Sequence, residues 1–265
     1  MGSGVTDPRR GVAVHSWHEQ VAAAAPVERE GETGGGARRP VVRAVRVVVP
    51  AHDEEAHVGA CVASVLRAIE TLERERPGVS ARAVVVLDRC ADRTAEVVAA
   101  YDVQVVTVSA GCVGGARRAG VGAVAAAADE AAEVLVVNTD ADCEVPSRWL
   151  VEHLDLAATH DLVQGEVLPD PADLSAAALT LWRVHNPAGT GSLHGANLAV
   201  RLEAYLAVGG FEEVAEQEDL LLVRALKAAG YAAVCGGASV LTSGRRAGRV
   251  PGGFAGYLRD LDAPG

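Results

Sequence analysis

The chain has 265 residues, is 49% hydrophobic and carries a formal net charge of −11. That length and apolar content allow one large α/β domain or two small ones. Residues 1–40 hold five Arg against five Asp and Glu, so the whole acidic excess lies in 41–265; this argues against nucleic acid or an anionic membrane surface as main partner but leaves an anionic small molecule open, because a metal and a few arginines reverse a local field.

Cys61, Cys90, Cys112, Cys143 and Cys235 are scattered without a CxxC pair, a pattern of reduced cytosolic thiols. No uninterrupted run approaches 18 apolar residues, and no basic start precedes an apolar stretch. No integral membrane segment and no signal peptide are expected, and the expected location is cytoplasmic.

Residues 1–40, rich in Gly, Arg, Glu and Pro, lack periodicity and read as a disordered N-terminal arm. Order begins near Val41. Val45–Val49, β-branched and closed by Pro50, reads as a buried strand. An acidic loop, Ala51 to Glu55, leads into an amphipathic helix reaching about Arg76, with Val58, Cys61, Val62, Val65, Leu66, Ile69 and Leu72 on its apolar face. Acids before a helix suit its dipole, which by itself would account for Glu54 and Glu55.

Ala83–Leu87 is the second predicted strand, followed by Asp88 and a short helix through Ala100. Val103–Val108 is the third, and Gly111–Gly115 opens an Ala-rich helix carrying Arg117 and Arg118. Val134 begins a fourth strand that ends in Asn138-Thr139-Asp140-Ala141-Asp142. Such alternation of strands and helices is solved economically by a mostly parallel sheet with crossovers. Beyond it the pattern predicts a helix over 147–159, a strand over 161–168, a helix over 171–182 and a flexible loop over 189–197. A strand over 198–201, a turn or two of helix over 202–208, a helix from Gln217 to Gly230 and a strand over 231–241, broken at Gly236-Gly237, complete the series. A Gly-rich tail, 246–265, contains a short helix, 254–261.

Gly120-Val121-Gly122-Ala123-Val124-Ala125 fits the loose dinucleotide pattern, but it falls inside a helix rather than at a strand-to-helix turn, so close helix packing explains it better. His52 and His57 lack zinc-peptidase spacing. What needs explaining is the acid at the C-terminal rim of the sheet: the Pro50–Glu55 loop, Asp88, Asp140 with Asp142, and Glu218-Asp219 at a helix start. In an extended segment Asp140 and Asp142 face one side, and two such carboxylates suit Mg²⁺ or Mn²⁺. Asp88 can accept from a base N–H or ribose hydroxyl, and Arg117 or Arg118 can neutralise phosphate.

The ordered stretches VVVPAHDEE (47–55), VVVLDRCADRT (84–94), VVNTDAD (136–142), HGANLAV (194–200), VGGF (208–211) and EQED (216–219) resemble the family 2 glycosyltransferases of GT-A fold. The resemblance implies a single α/β domain over 41–245, a mostly parallel Rossmann-like sheet flanked by helices with a smaller antiparallel portion on the acceptor side. Its nucleotide-binding half would be 41–145 and its acceptor half 146–245. It implies a nucleotide-sugar site at Pro50, Ala51, Asp53, Glu55, Asp88 and Asp140, and a metal on Asp140 and Asp142. Glu218 and Asp219 become the catalytic pair, with Asp219 as general base, and His194, Gly195, Ala196 and Asn197 the acceptor loop. The stretch 240–246 has no His to complete the metal's ligands, so Arg245 and Arg246 are expected on phosphate. With no membrane helices, a small soluble acceptor is expected. Inverting transfer leads, although retaining enzymes share the fold. A sugar-phosphate nucleotidyltransferase or a non-catalytic nucleotide-sugar-binding module are the competing readings, and oligomeric state is left open.

Overall fold

A computed structural model describes residues 39–185 and 195–245. Nearly all of the predicted arm, the predicted tail with its helix, His194 and Arg246 lie outside the described residues. In chain order the elements are β1 (Ala44–Ala51), α1 (Val58–Glu75), β2 (Ser80–Asp88), α2 (Thr94–Val98), β3 (Gln104–Val108), α3 (Val113–Ala126), β4 (Val134–Asn138), β5 (Cys143–Glu144), α4 (Trp149–Ala157), β6 (Leu162–Gln164), β7 (Val167–Pro169), α5 (Ala176–His185), β8 (Leu198–Arg201), α6 (Leu202–Ala207), α7 (Glu218–Ala228), β9 (Ala233–Cys235) and β10 (Val240–Thr242).

A seven-stranded sheet runs in the order β3-β2-β1-β4-β8-β6-β9. β1, β2, β3 and β4 pair in parallel, and β8 lies antiparallel to both neighbours, β4 and β6. The central strands read as continuous Val runs because both faces are covered. Val45, Val47 and Val49 join Val58, Cys61, Val62 and Val65 of α1 in one buried cluster. On the other face α3 approaches so closely that a Cβ on Gly120 would stand 2.6 Å from Val48 and 2.8 Å from Val86. The dinucleotide-like glycine is therefore a packing residue, as its position inside a helix implies.

The second sheet is small and mixed: β10 pairs antiparallel with β5 and parallel with β7. Two of the strand predictions, 161–168 and 231–241, are each split between the two sheets. β6 and β9 pair in parallel in the large sheet, and β7 and β10 pair in parallel in the small one. The chain crosses over at Gly165 and at Gly236-Gly237, whose φ angles are +155° and +91°. A Cβ on Gly165 would fall 2.2 Å from the Asn197 carboxamide, so only glycine lets the strand turn there.

Among the described residues no helix is long and apolar enough to cross a membrane.

Candidate functional site

Strand order reverses between β1 and β4, since β2 and β3 add on one side of β1 and β4 on the other. Open α/β sheets bind ligands at the carboxyl ends of the strands flanking such a point. Pro50 and Ala51 end β1, Asp88 ends β2, and Asp140 to Asp142 follow β4, so the predicted rim is one place in the fold.

Its two acidic loops clasp each other. Asp53, at φ +50°, accepts from the backbone N–H of Ala91 at 2.7 Å and of Asp92 at 3.3 Å. The Ala91 bond is the main reason its pKa lies below the usual carboxylate value. Glu55 accepts from Arg93 N–H and Nε at 3.1 and 3.2 Å, while its own N–H donates to Asp92 at 2.9 Å. Asp53 and Glu55 thus hold the edge together rather than standing free beside it. Asp88 is 5% exposed and accepts from Gly111 N–H at 2.8 and 3.1 Å; its carbonyl accepts from His52 Nδ1 at 2.5 Å.

The Asp140–Asp142 segment departs from its predicted extended shape. Cys143 N–H donates to the Asp140 carbonyl at 3.1 Å, closing a turn, and each carboxylate has its own arginine. Arg117 Nη2 meets Asp140 Oδ1 at 2.5 Å, and Arg245 Nη2 meets Asp142 Oδ2 at 2.9 Å. Burial, reinforced by Asp140 and opposed by Arg245, pushes the Asp142 pKa up to about 6. The Cys61 and Cys143 thiols beside this turn are fully buried, and burial raises both pKa values, so they stay protonated.

Arg117 is the hub. It is 2% exposed, pairs with Glu218 as well as Asp140, and lies 5.7 Å from the Phe211 ring centroid. Burial is the largest influence on it and works to lower its pKa, but Asp140, Glu218 and Asp219 together outweigh burial and raise it. Glu218 is 5% exposed; burial raises its pKa because a guanidinium shared between two carboxylates compensates neither fully. Two glycines let these elements meet. A Cβ on Gly114 would stand 2.2 Å from the Glu212 carbonyl, and one on Gly195 would stand 2.0 Å from Arg117 Nη1.

Asp219, half-buried at the start of α7, accepts from Gly195 N–H at 2.7 Å through one oxygen and from Leu220 N–H at 2.7 Å through the other. Gln217 before the pair is left-handed, φ +65°. The predicted pair is thereby divided: Glu218 is held by Arg117, and Asp219 by the Gly195 and Leu220 N–H groups.

Several expectations need correction. Arg117 is committed to two carboxylates instead of awaiting phosphate. Arg118 donates to the carbonyls of Gly209 and Phe211 at 2.9 and 2.8 Å, fastening the VGGF turn. Asn197, expected on the acceptor, is fully buried. Its Oδ1 accepts from Trp149 Nε1 and His153 Nε2, both at 2.8 Å, and its Nδ2 donates to the Glu166 and Ala238 carbonyls at 2.8 and 3.0 Å. The carboxamide is fully used in tying α4 to both sheet crossovers. Ala196 is buried with it, at 5% exposure.

From sequence, Glu54 has no role beyond the helix dipole. It is 4% exposed, receives both arms of Arg245 at 2.7 Å each, and donates its backbone N–H to Thr94 Oγ1 at 2.7 Å. The available signal was spacing: Glu54 stands four residues before Val58, in line with the buried face of α1.

Among the described residues no group of three or more His, Cys, Asp or Glu could hold a metal ion. Asp140 and Asp142, two carboxylates in one turn, nonetheless suit a hard divalent cation, which takes one or two carboxylates and completes its sphere with other oxygen ligands. Asp140 and Asp142 are the residues that would hold it.

The search of curated proteins finds no relative of the chain. Among solved structures it is similar to S. aureus TarS 1–349 in complex with UDP-GlcNAc, with 16% identity and a TM-score of 0.56, covering 79% of this chain and 61% of that one. A longer TarS structure gives 16% identity and a TM-score of 0.53, covering 75% of this chain, which spans only 36% of that chain. Glucosyl-3-phosphoglycerate synthase from Mycobacterium tuberculosis, in complex with Mn²⁺, UDP and glucosyl-3-phosphoglycerate, gives 20% identity and a TM-score of 0.49, covering 76% and 70%. Likeness to TarS at this identity is likeness of fold, the GT-A fold. The family model described as Glycosyl transferase family 2 matches residues 46–191, more than half of the sequence, and the chain belongs to that family.

Proposed function

We propose that the protein transfers a sugar from a nucleoside-diphosphate sugar to a hydroxyl of a small soluble acceptor, with a divalent cation at Asp140 and Asp142. The carrying observation is the Asp140–Arg117–Glu218 chain. One buried guanidinium links the diphosphate side of the site to the helix start that bears Asp219, so leaving group and base belong to one rigid assembly. TarS, of the same fold, binds UDP-GlcNAc, which makes UDP-sugars the first donors to test.

In this reading Asp88 and the clasped loops around Asp53 and Glu55 receive the nucleoside. Arg245 lies at the phosphate end, where Arg246 is also assigned. A cation held by Asp140 and Asp142 would supply stabilisation of the charge left on the diphosphate. Asp219, oriented by Gly195 and Leu220 N–H groups, takes the acceptor hydroxyl proton. The acceptor oxygen bonds to the anomeric carbon as the bond to diphosphate oxygen breaks, and that electron pair leaves with the nucleoside diphosphate. Attack opposite the leaving group inverts the anomeric centre. Gly195 joins the acceptor side through its bond to Asp219, and His194 is assigned there on the sequence resemblance alone.

The test is Asp219→Asn. Nucleoside diphosphate release from the donor in the presence of acceptor should fall by about 10²-fold or more, the usual contribution of a general base, with donor affinity unchanged. Near-normal turnover would overturn the assignment of the base.

A further inference from the structure

The two arginines of the clamp differ in how far they can move. Arg117 is walled in by Gly195, Phe211, Asp140 and Glu218, with its side chain 3% exposed. Arg245 has a side chain 29% exposed and stands at the rim. Its Nη1 and Nη2 each hold one oxygen of Glu54 at 2.7 Å, and Nη2 also reaches Asp142 Oδ2 at 2.9 Å. The Glu54 fork is buried and bidentate, the geometry that holds a guanidinium most firmly. The Asp142 contact is a single arm added to it. That arm can let go without Arg245 leaving its anchor.

A cation arriving alone must strip this arm from Asp142, leaving an N–H of Arg245 without its anion. A cation arriving with a diphosphate brings a new anionic acceptor for the same N–H. Guanidinium forks suit phosphate as well as carboxylate. We propose that Arg245 competes with the cation for Asp142 and exchanges Asp142 for phosphate on loading, so that metal and nucleotide enter as a coupled pair. This rests on the nucleotide-sugar reading above and adds to it a coupling between the two ligands and a dual-partner arginine.

Calorimetric titration of the full chain with Mn²⁺ alone, UDP alone and each in the presence of the other tests it. In the wild type, saturating UDP should tighten Mn²⁺ about 10- to 100-fold, the equivalent of one charge-assisted hydrogen-bonded pair, and by linkage Mn²⁺ should tighten UDP equally. Arg245→Ala should bind Mn²⁺ alone about 10-fold more tightly, bind UDP alone about 10-fold more weakly, and lose most of the coupling. Asp142→Asn supplies an independent arm. It should lose Mn²⁺ binding, yet hold UDP alone more tightly than wild type, because Arg245 is no longer shared. A merely structural Arg245 would not produce opposite shifts for the two probes. If wild type binds UDP with Mn²⁺ while Arg245→Ala leaves Mn²⁺-alone affinity unchanged or weaker, the exchange is overturned and the glycosyltransferase reading stands. If neither UDP, GDP nor dTDP binds wild type with Mn²⁺, the nucleotide-sugar reading falls, and the exchange with it.

Discussion

Replacing Arg117 with Ala should be among the most costly single changes in the molecule. It leaves Glu218, 5% exposed, as a carboxylate with its guanidinium gone, and breaking a buried ion pair from one side costs about 3–5 kcal/mol. The Asp140 arm adds less, because that side chain is 35% exposed and exposed pairs contribute about 1 kcal/mol or below. The Phe211 contact at 5.7 Å adds about 1 kcal/mol. Glu218 therefore dominates, and the expected loss is about 4 kcal/mol. With a urea m-value of about 2 kcal/mol/M, the unfolding midpoint should drop by about 2 M. The double variant Arg117→Met, Glu218→Leu removes the orphaned charge along with its partner and should recover more than half of the loss. Urea unfolding followed by circular dichroism measures both. A single variant within about 1 kcal/mol of wild type, or a double variant no better than the single, would refute the claim that this buried pair organises the site.

Gly120→Ala should destabilise by about 1–3 kcal/mol, since its Cβ would stand 2.6 Å from Val48. Gly122→Ala on the same helix meets nothing within 4 Å and should stabilise by up to about 1 kcal/mol through helix propensity; thermal melts of the two variants should move in opposite directions. His153 is fully buried, and burial lowers its pKa to about 4 from an ordinary 6.5. The unfolded chain therefore binds the proton first, so this contribution is whole above pH 6.5 and is lost as pH falls toward 4, about 3 kcal/mol in all. His153→Gln should flatten that part of the stability–pH curve, and an unchanged slope would show that His153 is not its source.

Most of the fold was legible because its signals are local. Val-rich runs marked β1, β2 and β4, and β8 appeared where predicted, at Leu198–Arg201. The break in 231–241 was legible at Gly236-Gly237, but the splitting of 161–168 was not, because a single glycine between Gln164 and Glu166 does not by itself send a strand to another sheet. What turns the chain is the Asn197 carboxamide packed on Gly165, a contact from another part of the sequence. The site followed the same division. Motif order brought Asp88, Asp140, Asp142 and Asp219 to one rim. Partnership was hidden, since Arg117 finds Glu218 over a hundred positions away and Arg245 finds Glu54 still farther off. An invisible partner also explains the Asn197 error: residue type fits a ligand-binding loop, while its four internal bonds are visible only in three dimensions.

The most direct test of a metal-assisted nucleotide-sugar site is a thermal-shift screen of UDP-, GDP- and dTDP-sugars with and without Mn²⁺. Ligand at a hundred times its Kd should stabilise the fold by about 2.7 kcal/mol. At least one donor should raise Tm with Mn²⁺ present, and the rise should shrink without Mn²⁺ and in Asp140→Asn. No Mn²⁺-dependent rise with any donor would contradict the account.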